Sequence, residues 1–442
     1  MNTQVSPKQR IAVVGAGISG LAAACLLSRD YAVTVFEAGA YLGGHTNTVD
    51  VTLEGKTFPV DTGFLVFNEK TYPNLIALFD HLGVNSVETE MSFAVSLENP
   101  HLEWAGSNLS TVFGQRRNLI SPPFWRMLSD ILRFNRESVA WLAAHPDSES
   151  SLHRFLIEGR YSESFTRWYL LPMAAAIWSC PTGQMLEMPL TAFVRFCQNH
   201  GLLQVFNRPK WRTVSGGGRE YVKKIASQLD DVRIACPVHA VTREAAGLRV
   251  THAGGSEHFD QLVMACHSDQ ALSILGMTAS SGQREVLSAI RYQPNRTVLH
   301  CDPALLPRDR KLWSAWNYFA GHGEPGDQPV GVSYLINKLQ PLPFETPVVV
   351  TLNPAREPDP ARLIAEFDYA HPIFDAAAIA AQQRLGEVQG EGGIWLAGAW
   401  GSYGFHEDGL NSALRVAKGL GVEPPWRSDG AELRRETSPK PR

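Results

Sequence analysis

This 442-residue chain has few cysteines, no long apolar run and no basic tract, and each lack removes a class of protein. Its six cysteines, Cys25, Cys180, Cys197, Cys236, Cys266 and Cys301, are scattered, with no Cys-x-x-Cys and no cysteine–histidine cluster at metal-ligand spacing. That excludes a zinc ribbon and a dense disulfide framework, and leaves reduced thiols and no metal as the expectation. Lys and Arg total 40 against 44 Asp and Glu, a formal charge of −4, and no basic stripe tracks a phosphate backbone, so nucleic acid is not an expected partner. No segment reaches the ~18 uninterrupted apolar residues of a membrane span. Lys8 and Arg10 precede a small-residue apolar stretch that mimics a signal peptide, but strand, turn and helix account for it fully. The expected location is cytoplasmic, with contact at the inner face of the membrane at most peripheral. Internal repeats and low-complexity tracts are absent as well.

What is present begins at Ile11. The apolar run from Ile11 to Val14 enters Gly15-Ala16-Gly17-Ile18-Ser19-Gly20, then a small-residue helix over 21–27 and a second strand over 32–36 that ends at Glu37-Ala38. These are the parts of a dinucleotide site. Gly15 permits the tight turn, Gly17 lets backbone approach a pyrophosphate, Gly20 lets helix and strand pack closely, and the helix start offers unpaired N–H groups to phosphate. A carboxylate at Glu37 would hold a ribose diol and repel a 2′-phosphate, which disfavours NADP. No second motif of this kind follows a strand: Gly216-Gly217-Gly218 precedes a helix but lacks the spacing.

A chain of this length exceeds one core, so two domains are expected. Asp61-Thr62-Gly63-Phe64 leads into a helix over 72–82, and a Trp- and Arg-rich helical region runs from about 121 to 205. Strands are predicted over 232–235, 238–243, 248–252 and 262–265, and a second set over 297–300, 313–319, 330–335 and 347–352. One more buried strand (393–398) and one more helix (409–421) follow. The fold class is therefore α/β: a Rossmann-like dinucleotide domain from 1–95, 206–275 and 386–425, an inserted α+β substrate domain from 96–205 and 276–385, and a disordered tail over 426–442. Within the insertion, the helix over 122–143 is amphipathic, with Arg126, Asp130, Arg133 and Glu137 on one face and Phe124, Met127, Leu128, Ile131 and Leu142 on the other. Mixed charge on the polar face favours packing on its own domain over lying in a membrane interface, where Lys and Arg predominate.

Three further motifs narrow the fold. Leu42-Gly43-Gly44-His45 follows Glu37, Pro237-Val238 opens a strand whose backbone could face an adenine, and Trp395-Leu396-Ala397-Gly398 precedes Gly404-Phe405-His406-Glu407-Asp408-Gly409 at the mouth of a helix. In order and spacing these resemble the FAD-binding framework of the flavin amine oxidase superfamily, which includes monoamine oxidases, protoporphyrinogen oxidase and phytoene desaturases. The resemblance spans nearly the whole chain and is greatest to bacterial NAD/FAD-binding oxidoreductases with a Leu-Gly-Gly-His motif, some of which are thought to act in lipid modification. It implies FAD, held non-covalently. Gly15, Gly17 and Gly20 would hold the pyrophosphate, Glu37 the adenosine ribose, Gly43 and Gly44 the approach to the flavin, and Val238 the adenine. Gly409 would bring a helix N-terminus to the isoalloxazine carbonyls, where its dipole stabilises the reduced ring. Ala16, Ile18, Ser19, Ala38, His45, Gly398, Ala399 and Leu410 complete the implied cofactor contacts. The departures concern the substrate: Tyr41 and His45 flank the double glycine where arginines are usual, Ala399-Trp400 replaces an acidic residue, and Phe405 replaces a cage tyrosine. No cysteine follows Cys301 for a thioether linkage, which leaves His406 as the covalent alternative.

The resemblance thus implies an FAD-dependent oxidoreductase, and the greasy character of the predicted cavity points to an apolar substrate such as a fatty acyl or isoprenoid chain. Oxygen, a quinone or a protein would accept the electrons, since no nicotinamide domain is present. Catalytic candidates are His406, and Tyr318, Tyr334 and Lys338 on predicted strands. His406 and His45 read equally as histidines bonded to backbone or ribityl hydroxyls, and Lys338 as a solvated strand-end lysine. The run from Trp168 to Ser179, broken by Pro172, resembles the helix over the superfamily's substrate cavity; core packing explains it equally well, and it offers no carboxylate to an ammonium ion. Alternatives are an amine oxidase, a non-redox flavin isomerase or hydratase, and a flavoprotein partner in lipid modification.

Overall fold

Residues 11 to 14 are apolar at every position and buried, as a strand covered on both faces of a parallel sheet must be. In the computed structural model, which describes residues 8–178, 182–204, 208–320 and 331–426, Arg10–Val14 is the middle of five parallel strands. Their order is Asp231–Arg233, Ala32–Phe36, Arg10–Val14, Gln261–Met264, Ile394–Leu396. Cys180 and the expected tail beyond Trp426 lie outside the described residues. The helix Ile18–Leu27 is buried at all ten positions, because it is enclosed between this sheet and the helices Arg219–Ala226 and His406–Gly419. It starts three residues before the expected 21, with Gly17 as its N-cap. On the sheet's other face, Ala12, Val14 and Phe36 pack with Val241, Val250 and Phe259 of a three-stranded antiparallel meander, Val238–Glu244, Gly247–His252 and Gly255–Phe259. The helices Ser281–Ser288 and Ala376–Arg384 join this same core through Val286, Leu287, Ala378 and Ala381, although both fall in the segment read from sequence as substrate domain.

The second layer is a seven-stranded sheet in the order Leu363–Pro372, Tyr292–His300, Val349–Leu352, Gly331–Leu335, Trp316–Ala320, Phe93–Leu97, Leu102–Ala105. Only the pair Trp316–Ala320 and Phe93–Leu97 is parallel. The strand Phe93–Leu97 runs across the boundary drawn at residue 95. One face of the sheet buries Val95, Tyr318, Val332 and Val350 against Phe124 and Met127 of the long helix Pro122–Ala144. That helix also buries Asp130, which the sequence places on a polar face; the carboxylate accepts the Ser162 N–H at 2.9 Å and pairs with Arg133 at 3.1 Å.

Two motifs noted separately in the sequence meet at the joint between the layers. The antiparallel hairpin Thr48–Leu53 and Lys56–Asp61 turns at Glu54-Gly55, both at positive φ (54° and 72°), the conformation of a two-residue type I′ turn. It delivers Asp61 to the glycine turn at 216–218. There the carboxylate accepts the Gly218 N–H at 2.9 Å at the start of the helix Arg219–Ala226, the Thr48 hydroxyl at 2.5 Å and the Gln340 amide at 3.1 Å. Burial outweighs these bonds and pushes the Asp61 carboxyl from 3.8 up to about 6. In the folded chain the group keeps its proton where the unfolded chain has lost it. Its contribution to stability is therefore full below pH 3.8 and is lost as pH rises through about 6, to the extent of about 3 kcal/mol. Asp61→Asn removes this titration. Denaturant unfolding at about pH 4 and about pH 7 should show the variant gaining roughly 2–3 kcal/mol on wild type between the two, and an unchanged difference excludes a titrating carboxyl at this joint.

Candidate cofactor and substrate site

A cavity of about 1160 Å³ opens at the carboxyl edge of the five-stranded sheet, where strand order reverses between Arg10–Val14 and Gln261–Met264. This is the switch point at which open α/β sheets bind ligands. The turn after the first strand is forced by backbone contacts. Gly15 donates to Phe36 O at 2.8 Å with φ +102°, and a Cβ on Gly20 would sit 1.8 Å from Gly15 O. Gly17 differs: a Cβ there would meet nothing within 4 Å, because its open side faces the cavity. Next to it, Gly43 donates to Ala16 O at 2.9 Å, which seats the double-glycine turn against the first one. Glu37 is fixed by its own neighbours, one carboxylate oxygen accepting Ala16 N–H at 2.8 Å and the other Gly39 N–H at 2.7 Å. Each oxygen keeps a lone pair for a diol. An open glycine, the free N–H groups of a helix start and an oriented carboxylate together fit the pyrophosphate and ribose of FAD.

The opposite wall carries a histidine cluster that sequence reasoning missed apart from His45. His45 lies 5.1 Å from His371, 5.0 Å from Tyr369 and 6.2 Å from His267, ring centre to ring centre, and His267 stacks on Tyr292 at 4.3 Å. These residues come from segments far apart in the chain, so no local spacing could reveal them. Burial and the neighbouring imidazoles hold His45 well below its ordinary 6.5, and burial holds His371 at about 4. His45 Nε2 is buried without a hydrogen-bond partner, an atom that an oxygen of the bound cofactor would satisfy.

The C-terminal motif closes the site. Gly398, Ala399, Trp400, Tyr403, Gly404, Phe405 and His406 all line the cavity. His406 Nε2 is 2.8 Å from Thr46 Oγ1 and 3.2 Å from the Tyr221 hydroxyl, and its ring stacks on Phe64 at 3.7 Å. Burial lowers it to about 3, so the ring is neutral with its Nε2 engaged. The helix His406–Gly419 starts three residues earlier than expected. Gly409 is one turn inside it, where a Cβ would come within 2.7 Å of Ile18 Cγ2, and Leu410 is fully buried. Both serve the crossing of the first and last helices. Neither they nor Gly20 form part of the cavity wall; the other residues expected to contact the cofactor, Val238 included, do line it.

Beyond the glycines the cavity turns apolar. Tyr169, Met173 and Ile177 project from successive turns of the segment Thr166–Trp178. Pro172 has no N–H for Trp168 O four residues back, so the helix widens to a π-turn there and the Trp104 indole N–H takes that carbonyl at 3.3 Å. Trp104, Trp211, Trp316 and Tyr334 are among the facing side chains. Among the described residues the wall holds three carboxylates, Glu37, Glu88 and Glu90. Glu88 pairs with Lys210 at 3.4 Å, and Glu90 with Lys338 at 2.9 Å. Of the catalytic candidates, Tyr334 lines the wall edge-on to Trp316 at 5.0 Å. Tyr318 lies in the core under the sheet, and Lys338 lies on the short helix Ile336–Leu339 rather than on a strand. Neither is among the wall residues, and Lys338 touches the wall through Glu90.

The model of the flavin containing amine oxidoreductase family matches residues 18–301. The chain belongs to this family. It is an FAD-dependent oxidoreductase. No curated protein matches the sequence. Among solved structures it is similar to a CLA-producing fatty acid isomerase from P. acnes (15% identity, TM-score 0.68, covering 95% of this chain and 100% of that one). Cyclohexylamine oxidase from Brevibacterium oxydans (18%, 0.62, 94% and 100%) and a reduced UDP-galactopyranose mutase (15%, 0.64, 96% and 98%) share the fold too. Three chemistries on one framework leave the substrate to be argued from the cavity of this amine oxidoreductase itself.

Two outcomes test the site. Gly17→Asp places bulk and negative charge in the one open position of the turn, so the purified variant should carry no flavin absorbance and show no saturable FAD quenching; a fully loaded variant would remove the pyrophosphate assignment. His371 is neutral when folded and has its ordinary 6.5 when unfolded. Its share of stability is therefore complete above that pH and declines on acidification towards about 4. His371→Gln should flatten the fall in unfolding free energy between about pH 7 and about pH 5, measured on the flavin-free protein.

Proposed function

We propose that the protein oxidises the hydrocarbon portion of an apolar, lipid-like molecule, a fatty acyl or isoprenoid chain, with non-covalently held FAD. The observation that carries this reading is the pairing of charge in the cavity wall: among the described residues the two carboxylates near the apolar end each hold a lysine. A cavity of about 1160 Å³ exceeds the ~300–1,000 Å³ of ordinary ligand sites, which leaves room for a second molecule beside the cofactor.

FAD, when bound, accepts a hydride from carbon. The chain's own residues bind, orient and exclude water. Met173, Ile177 and the facing tryptophans hold an extended hydrocarbon, and Tyr334 offers the wall a hydroxyl to pass a proton. Arg208 lines the same cavity and bonds only to Gln204 O at 3.0 Å among the described residues, so a carboxylate headgroup has a partner there. Non-covalent binding is supported by Cys266, the cysteine in the wall, whose thiol burial pushes up to about 12, and by the engaged Nε2 of His406. The acceptor is proposed to be oxygen, a quinone or a protein.

Anaerobic titration of the yellow protein with long-chain fatty acids should bleach the flavin band, while amines should leave it unchanged. Bleaching by amines alone overturns the reading, and turnover of a lipid without bleaching moves it to isomerisation. Arg208→Glu should raise KM for a free fatty acid about tenfold or more with a smaller change in kcat.

A further inference from the structure

Five of the eleven large hydrophobic side chains exposed among the described residues fall between Leu109 and Leu132: Leu109 (77% exposed), Leu119 (50%), Ile120 (85%), Trp125 (50%) and Leu132 (61%). Leu109 starts the short helix Leu109–Val112, and the other four form the outer side of the turn Arg116–Ile120 and the first half of the helix Pro122–Ala144. The inner side of that helix is satisfied by Phe124, Met127, Phe134 and Leu142 in the core, so the outer residues are not spare core. They are also held in place. The Trp125 indole N–H donates to Leu119 O at 2.9 Å, and its ring lies 5.2 Å from Phe113. Along the helix the exposed stripe reads Trp125, Ser129, Leu132, Arg136, at spacings that keep it on one side.

Cations outnumber anions around this patch, although Arg126 pairs with Asp130 and Arg136 with Glu137, each at 3.5 Å. Arg116, Arg117, Arg126 and Arg136 are exposed beside it. Leu312, buried against Ala94 and Ala105, brings the exposed Arg308, Arg310 and Lys311 alongside. The acids that the sequence places here are withdrawn or engaged: Asp130 is buried, Glu137 receives the Tyr161 hydroxyl at 2.8 Å, and Asp309 accepts the Lys311 N–H at 3.0 Å in its own turn. A chain with a net charge of −4 thus presents one cationic face with apolar residues at its centre. We propose that this face docks on an anionic lipid bilayer, with Ile120, Trp125 and their neighbours entering the headgroup boundary and the arginines meeting lipid phosphates. A second copy of the chain fits less well, because a two-fold contact would set the same cations against each other.

The cavity opens beside this face. Gly106 and Ser107 line it and are exposed, and Leu109 follows two residues on. A bilayer at the face would therefore lie at the mouth of the apolar chamber. Docking does not depend on the lipid-oxidation reading, and its test uses no turnover.

The test is co-sedimentation of the FAD-loaded protein with vesicles of phosphatidylcholine alone and of phosphatidylcholine with phosphatidylglycerol. Wild type should pellet with the phosphatidylglycerol vesicles and be released by salt. Ile120→Ser/Trp125→Ser should weaken vesicle affinity about tenfold or more, and Arg116→Glu/Arg117→Glu should abolish the preference for phosphatidylglycerol. Both variants should keep the flavin spectrum and thermal midpoint of wild type, since the altered side chains are exposed. Wild type remaining in the supernatant with both vesicles overturns the proposal, as do variants that pellet like wild type. A dimer seen by light scattering that Ile120→Ser/Trp125→Ser splits, without vesicle binding, assigns the face to a second copy instead.

Discussion

The site depends on one close approach of backbone to backbone. The chain leaves the first strand, turns through Gly15, and brings Gly20 so near that no side chain fits between Gly20 and the Gly15 carbonyl. The double-glycine turn then seats on the same peptide through Gly43 N–H and Ala16 O. No side-chain interaction could hold two turns this tightly, because any Cβ would separate them. Glu37 inherits its orientation from this contact, since the Ala16 N–H it accepts belongs to the turn. The start of the helix Ile18–Leu27, the position of His45 and the crossing of the last helix at Gly409 follow from the same geometry.

A second theme is that buried acids serve helix starts rather than chemistry. Asp61 receives the N–H at the start of one helix. Glu407 receives Asn74 N–H and Leu75 N–H, both at 2.9 Å, in the first turn of the helix Pro73–Leu82. A carboxylate there satisfies N–H groups that no helical carbonyl can reach and meets the positive end of the helix dipole. The two clamps join segments 157 and 333 residues apart, so the cavity wall is assembled from pieces fixed at their ends. Among the described residues the cavity itself is left with paired carboxylates and neutral imidazoles.

The sequence spoke most clearly where structure is local. Strand, glycine turn, helix and second strand fall within 10–36 and agree with the expected ranges to within a few residues, because their periodicity and turn chemistry are complete in that window. The helix 72–82 was legible for the same reason. The strand Leu363–Pro372 was not, since it is an edge strand with mostly exposed or half-exposed residues and carries little apolar signal. The hairpin 48–61 had a readable cue, Gly55 between alternating residues, but its turn places Glu54 at positive φ, which few sequence patterns suggest. In the site, the cofactor end was readable from glycines. The histidine cluster and the carboxylate–lysine pairs join segments remote in sequence, and only the folded chain brings them together.

The clamp of Glu407 on the helix Pro73–Leu82 has a consequence for synthesis. As the polypeptide leaves the ribosome, the strands at 10–14 and 32–36 emerge early, yet the parallel sheet lacks its outer strand Ile394–Leu396 and the first helix lacks its cover, His406–Gly419, until the final portion of the chain is out. Until then the small residues of Ile18–Leu27 have an open apolar side, and the N–H groups of Asn74 and Leu75 have no carboxylate. Nascent chains of this protein are thus committed to a long wait with a finished cofactor motif on an unfinished domain, the interval in which chaperones, or the cofactor itself, have most to offer.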